Sequence, residues 1–390
     1  MNSRKTLAGK TIVAGVTGSI AAVEMVKVIH ALRRRGAQVR VVMSEAACGI
    51  VSPEALAYAS GSPAITRITG LVEHVGLCGD GGGADLLLIA PCTANTIGKI
   101  ACGIDDTPVT TFATTALGSR MPVVLVPAMH HSMYRHPGVV KNLERLKEWG
   151  IALVEPVVEE GKAKIAGTDE IVLSCERAVS GSPLAGKKVL ITSGPCREPV
   201  DDVRVLTTRS GGQMGRELAL EAYRRGADVT VVHRDRFPCV NNVHAETAGE
   251  MRDAVIRSIS GPGCDIYISA AAISDFAPVP VRGKIKSGKK QTIGLSPLPK
   301  LLDEVLAIRP RPLTVAFKLG WETEGQARDM LAKGASVVVT NTPETMGRDS
   351  GTYRCITAAG SAEFSGPKEE IASGIWDNLM GILPETGAGS

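Results

Sequence analysis

Continuous apolar runs alternate along this chain with segments whose apolar residues recur at helical spacing. Leu86-Leu-Leu-Ile-Ala and Val123-Val-Leu-Val in the first half, with Val189-Leu-Ile and Val337-Val-Val in the second, lack the polar alternation of a half-exposed strand. Such runs predict parallel strands covered on both faces. An internal echo organises them. Leu7-Ala-Gly-Lys-Thr-Ile-Val-Ala-Gly-Val-Thr-Gly returns as Leu184-Ala-Gly-Lys-Lys-Val-Leu-Ile-Thr-Ser-Gly. After each opening come a loop, a helical pattern and a second strand, at Arg33-Arg-Arg-Gly-Ala-Gln-Val-Arg-Val-Val-Met and at Arg224-Arg-Gly-Ala-Asp-Val-Thr-Val-Val. The glycine after the arginines stops each helix ahead of its strand. The pattern predicts two doubly wound, Rossmann-like α/β domains. Ser180-Gly-Ser-Pro-Leu-Ala-Gly reads as the linker, so the expected domains are 1–182 and 183–390.

Composition narrows the class. A chain of 390 residues is too long for one ordinary core, which agrees with two domains. Net charge is only +4, and the one tight basic run, Arg33 to Arg35, reads as the wet end of a helix. Without a basic stripe interleaved with aromatics, nucleic acid is not an expected partner. Nine cysteines, odd in number and scattered singly, argue against a disulfide framework or a structural zinc site. A reducing cytoplasm is the expected location. Arg4, Lys5 and Lys10 precede an apolar stretch, as in a signal peptide, but that stretch runs into an amphipathic segment from Ile20 to Leu32. No uncharged run approaches the roughly 18–20 residues that span a bilayer, so neither export nor membrane insertion is expected.

Polar residues close several predicted strands, where open α/β sheets bind ligands. Gly15-Val-Thr-Gly-Ser-Ile-Ala-Ala joins a strand to a helix, and its glycines let backbone N–H groups approach a phosphate. It is neither G-x-G-x-x-G nor a Walker loop. Ser44, Thr93, Asn95 and His130 fall at the ends of further strands. Together these segments resemble the flavin-containing cysteine decarboxylases over residues 8–175. The resemblance implies a flavodoxin-like domain with FMN held by Thr17, Gly18, Ser19, Ser44, Thr93 and Asn95. It also implies that His74, in Val72-Glu-His-Val-Gly-Leu, is the catalytic histidine. His130 stands where bacterial relatives have asparagine and is expected to meet the substrate carboxylate. The stretch Glu159-Glu-Gly-Lys-Ala-Lys-Ile-Ala-Gly lacks the lid cysteine of bacterial relatives. Cys175, further on, lies on a helical pattern and reads as structural. The variant pattern looks like an archaeal version of the family.

In the second half, Thr192-Ser-Gly-Pro-Cys-Arg-Glu-Pro-Val-Asp-Asp-Val-Arg-Val-Leu-Thr-Thr-Arg-Ser-Gly-Gly-Gln-Met-Gly forms a long glycine-rich connection, and long connections usually carry function. It resembles the signature of the phosphopantothenate–cysteine ligases. Asp265-Ile-Tyr-Ile-Ser-Ala-Ala-Ala-Ile-Ser-Asp-Phe and Lys284-Ile-Lys-Ser-Gly follow. The resemblance implies a CTP site formed by Ser269, Ala270, Ala271, Asp275, Lys284, Pro299, Lys300, Phe317 and Lys333, with Lys284 catalytic. Arg204 and Thr208 are the expected substrate contacts. Bacterial relatives have asparagine near Thr208 and lysine near Gln213.

Taken whole, the chain resembles the bifunctional phosphopantothenoylcysteine decarboxylase/phosphopantothenate–cysteine ligases of coenzyme A biosynthesis. The implied substrates are 4′-phosphopantothenate, cysteine and CTP, with FMN as cofactor and Mg2+ accompanying the nucleotide. Metal ligands are not identified. The resemblance further implies a homo-oligomer with trimer-based flavin sites and dimeric ligase units. Two rivals are weighed against this. A ligase whose flavin domain is regulatory, or releases a different product, is suggested by the absent lid cysteine. A nicotinamide-dependent oxidoreductase is opposed by the lack of G-x-G-x-x-G in either opening.

Overall fold

A computed structural model describes residues 4–159 and 162–383, which divide into two compact units, Met1–Ser182 and Pro183–Ser390. In the first unit the strands are β1 (Thr11–Val16), β2 (Gln38–Met43), β3 (Leu86–Cys92), β4 (Val123–Pro127) and β5 (Ala152–Leu153). They form one parallel sheet in the order β2-β1-β3-β4-β5. Alternation along each strand sorts side chains between two cores. Ile12, Ala14 and Val16 join Leu86, Leu88 and Ala90 on one face, while Val13, Leu87 and Ile89 face the other. All seven residues of β3 are buried, and each of its leucines contributes about 1.5–3 kcal/mol. Residues Met129–His130, Val157–Glu159 and Lys162–Lys164 form a small antiparallel sheet.

The second unit repeats the design with a different order. Its strands are β6 (Lys188–Thr192), β7 (Asp228–His233), β8 (Asn241–His244), β9 (Ile266–Ser269), β10 (Leu313–Leu319), β11 (Val337–Asn341), β12 (Ser350–Ile356) and β13 (Ser361–Pro367). They run in the order β8-β7-β6-β9-β10-β11-β12-β13, parallel as far as β11 and antiparallel beyond it. The expectation of two doubly wound α/β domains is borne out. The strand order reverses beside β1 in the first unit and beside β6 in the second, which places a crevice at each reversal.

Two local features differ from the sequence reading. The amphipathic segment from Ile20 opens as a 3₁₀ turn, Ile20–Glu24, and becomes α-helical only at Met25–Arg34. Ser19 caps that turn, accepting from the Ala21 N–H at 3.4 Å. The long connection after β6 is not structureless, because Arg197–Pro199 pairs with Val205–Thr207 as an antiparallel hairpin. Buried Asp201 holds the turn, accepting from the backbone N–H groups of Val203 at 2.8 Å and Arg204 at 2.7 Å.

Candidate active sites

The first crevice is built from strand ends and helix caps. Thr17, buried just past β1, donates its hydroxyl to the Pro91 carbonyl at 2.7 Å and accepts from the Thr93 N–H at 3.1 Å. That pair locks the ends of β1 and β3 together. Ser44 and Thr93 cap the helices Glu45–Cys48 and Ala94–Ala101, accepting from Ala47 N–H and Thr96 N–H at 3.3 Å each. Gly18 is required by contact. A Cβ there would lie 2.5 Å from the Ala46 methyl, so the loop after β1 presses on the helix after β2.

The resulting cleft, about 500 Å³, is lined by Gly18, Ser19, Ser44, Thr93 and Asn95, whereas Thr17 is buried behind its strand tie and does not line it. Thr96 and Thr107 add two more hydroxyls, and Lys99 on its rim is paired with Asp106 at 2.8 Å. These are the features of a cradle for a phosphate-bearing ligand: helix starts, hydroxyls and exposed backbone. A neighbouring cavity of about 550 Å³ shares Ser19, Ala128 and Met129 with it and adds Glu24, His130 and Lys164. His130 is exposed there, its Nδ1 3.0 Å from the Ser132 hydroxyl.

His74 is not brought to this cleft within one chain. It sits on the helix Glu73–Cys78, edge-on to Phe112 with ring centroids 6.3 Å apart. Its Nδ1 is buried without a hydrogen-bond partner. Around it Leu71, Val72 and Val75 are exposed, Leu71 to 82%. Cys175 is wholly buried in the core, where desolvation raises its thiol pKa and the acidic Glu176 adds to the rise. The stretch that lacks a lid cysteine runs through residues 160–161, which lie outside the described residues.

The second crevice, about 470 Å³, opens at the ends of β9, β10 and β11. Ser269, Ala270, Ala271, Asp275, Pro299, Lys300, Phe317, Lys333 and Thr208 all line it. Its walls are tied at the sheet reversal, where Ala271 N–H donates to the Thr192 hydroxyl at 3.3 Å and Ala272 N–H to the Gly194 carbonyl at 3.0 Å. The helix Gln213–Arg224 starts in the crevice after left-handed Gly212, with no side-chain cap. Gly215, in its first turn, lets the helix touch Ser193; a Cβ there would meet the serine hydroxyl at 2.4 Å. The charged lining comprises Lys300, Lys318, Lys333 and Lys368 against Asp275 and Asp303, four cations to two anions. Lys333 and Asp303 are paired at 3.1 Å.

Sequence reasoning missed Lys318 and Lys368. A lysine late in a strand and another opening a helix after a strand carry no pattern that separates them from solvated lysines. Conversely, Lys284 and Arg204 do not line the crevice. Lys284 is exposed on the arm between Phe276–Pro278 and Leu295–Pro297, which pair with each other. Arg204 is engaged by the Asp201 carboxylate and reaches the Ile285 carbonyl at 3.3 Å. Asp201 also accepts from Ile285 N–H at 3.0 Å, and Asp202 from Gly283 N–H at 3.0 Å, so hairpin and arm are fastened together. The Ile285 N–H above all, then the N–H groups of Val203 and Arg204 and the Arg204 guanidinium, depress the Asp201 pKa to about 2. Among the described residues, no group of three or more His, Cys, Asp or Glu could hold a metal, and no helix is long and apolar enough to cross a membrane.

Each unit thus carries a crevice where the strand order of a doubly wound sheet reverses, the usual place for a ligand site in an α/β enzyme. Residues 1–180 match the flavoprotein family, and residues 184–382 match the DNA/pantothenate metabolism flavoprotein C-terminal domain. The coenzyme A biosynthesis bifunctional protein CoaBC of Thermococcus kodakarensis is 42% identical, across 98% of this chain and 97% of that one. CoaBC of Methanocaldococcus jannaschii is 33% identical, across 97% and 95%. A solved C-terminal domain of a CoaBC protein aligns at 28% identity and a TM-score of 0.44, over 52% of this chain and 98% of that domain. The chain belongs to the family of coenzyme A biosynthesis bifunctional proteins. It is a flavoprotein enzyme of that pathway with decarboxylase and ligase activities, as the sequence resemblance implied.

Proposed function

We propose that the second unit joins 4′-phosphopantothenate to cysteine at the expense of CTP, and that the first unit decarboxylates the product to 4′-phosphopantetheine. The observation that carries this reading is the pairing, in one chain, of a hydroxyl-lined cradle with a lysine-rich crevice. A carboxylate is a poor electrophile, so ligation needs an activated acyl–cytidylate and release of pyrophosphate. Lysines suit the triphosphate and the departing pyrophosphate, being compact, mobile charges. Asp275, Pro299, Lys300, Phe317 and Lys333, with Ser269, Ala270 and Ala271, would hold the nucleotide. Thr208 and Arg204 would meet the acid substrate. Mg2+ would enter with the nucleotide and screen its phosphates.

The cradle suits FMN. Its hydroxyls and helix starts suit a phosphate, and Gly18, packed against Ala46, lines it without a side chain. Thr17, Gly18, Ser19, Ser44, Thr93 and Asn95 would hold it. The cofactor supplies a reversible oxidation that gives the carbanion left by CO2 loss a conjugated sink. His130, in the neighbouring cavity that shares Met129 with the cradle, would orient the substrate carboxylate. His74 is the acid/base in this reading, and it serves the cradle of a neighbouring chain. The exposed apolar residues around it support such self-association. Val203, Val279, Val281 and Leu295, exposed near the Lys284 arm, support pairing of ligase units in the same way. That pairing would carry Lys284 to a partner's crevice.

The test is incubation with 4′-phosphopantothenate, cysteine, CTP and Mg2+, with products followed by mass. Formation of 4′-phosphopantetheine and CMP is expected. Phosphopantothenoylcysteine as the end product would favour the rival in which the flavin unit is regulatory.

A further inference from the structure

We infer that Lys368 is a phosphate-binding residue of the ligase crevice. This rests on the reading of that crevice as one that takes phosphorylated substrates.

Lys368 opens the helix Lys368–Met380 and is only 5% exposed, yet it lines the crevice. An ammonium carries three donors. Among the described residues its Nζ donates once, to the Thr345 carbonyl at 3.2 Å, and forms no ion pair. Asp349 and Glu217 both favour the charged form, but burial outweighs them and lowers the Lys368 pKa. Glu217 is itself engaged by Arg216 at 2.9 Å. A structural lysine at this depth would be expected to meet a carboxylate, because burying an unpaired charge is unfavourable. This one keeps donors unspent beside an open crevice.

Gly212, Gln213, Met214 and Gly215 share that crevice with Lys368. The first N–H groups of a helix have no partners within it, and no side chain caps this helix. They supply partial positive charge without a full cation, and Gln213 is neutral. Lys368 supplies the full charge. Uncapped amides together with an ammonium match a phosphate dianion better than a carboxylate, which offers fewer acceptor oxygens. The phosphate could belong to the nucleotide or to the phosphorylated acid, and the experiment separates these sources.

Full-length Lys368→Met is compared with wild type for binding of inorganic tripolyphosphate and of cytidine, for KM of CTP and of 4′-phosphopantothenate, and for melting temperature. Tripolyphosphate affinity or the KM of one phosphorylated substrate should worsen by about 10- to 100-fold, the size expected of a charge-assisted contact. Cytidine binding should change by less than about threefold, and melting temperature should hold or rise, since a desolvated charge has been replaced by an apolar side chain of similar length. A selective rise in KM for CTP assigns the nucleotide phosphate, and a rise for the acid assigns its phosphate. Unchanged tripolyphosphate binding with both KM values unchanged overturns the proposal. So does a lowered melting temperature with those affinities intact, which marks a structural lysine. Should Lys368→Met not fold, Lys368→Gln, which keeps a donor for Thr345 but not the charge, is held to the same outcomes. A wild-type protein that binds neither tripolyphosphate nor CTP refutes the reading of the crevice itself, a result distinct from a silent Lys368.

Discussion

The two crevices occupy equivalent places in their sheets but are built from different materials. The cradle of the first unit is made of backbone and short hydroxyl side chains, Ser19, Ser44, Thr93, Thr96 and Thr107, most of them already committed to caps and strand ties. The crevice of the second unit is made of long cations, Lys300, Lys318, Lys333 and Lys368, on elements far apart in sequence. Short side chains fixed by hydrogen bonds suit a resident ligand. Long lysines, with several rotatable bonds to order, suit ligands that arrive and leave each turnover. The contrast separates a site that is part of the architecture from one that works through adaptable charge.

The largest effects should break one crevice and spare the other. Lys284→Ala should lower ligation by at least about a hundredfold, the scale seen when a charge-stabilising group is lost, with flavin content and decarboxylation unchanged. Wild-type ligation in that variant would remove Lys284 from the nucleotide site. His74→Ala should lower decarboxylation by about 10²–10⁴-fold without touching ligation, measured with phosphopantothenoylcysteine supplied directly. Gly18→Ala should expel flavin, because overpacking of about 1–3 kcal/mol falls directly on the cradle; the readout is flavin absorbance of the purified protein. Mixing His74→Ala and Gly18→Ala chains sharpens the case. Partial recovery of decarboxylation is expected if one chain's histidine serves another's cradle, and no recovery in demonstrably mixed oligomers would place both in one chain.

A smaller effect concerns pH. The Asp201 pKa is lowered from 3.8 to about 2, so the stability it contributes is present above pH 3.8 and is lost as pH falls towards 2. Protection of the Gly283 and Ile285 amides from hydrogen exchange should therefore hold to about pH 4 and weaken below it. In Asp201→Asn that acid step should vanish, with ligation reduced several-fold and flavin content unaffected.

What could be read in advance follows the same divide. The parallel strands and both openings were legible because fully buried strands are written as unbroken apolar runs. The cradle was legible because its residues cluster at strand ends, Thr17 to Ser19, Ser44, and Thr93 to Asn95, where local chemistry and the family resemblance coincide. Lys318 and Lys368 were not, since nothing local distinguishes a lysine that faces a crevice from one that faces water. The hairpin after β6 was hidden for a related reason: its turn is held by Asp201, whose third backbone partner, Ile285, lies 84 positions away. The expectation for His74 rested on resemblance alone, and a single chain does not bring it to the cradle.

The tie between Asp201 and the arm also has a mechanical consequence. Two loops that the chain makes separately are pinned at Ile285 and Gly283, so they cannot swing as independent flaps. Arg204 and Lys284 ride on one lever, and any displacement that carries one cation carries the other. If the arm reaches a ligand as proposed, the hairpin would move with it, so contacts made by the two loops would form and release together.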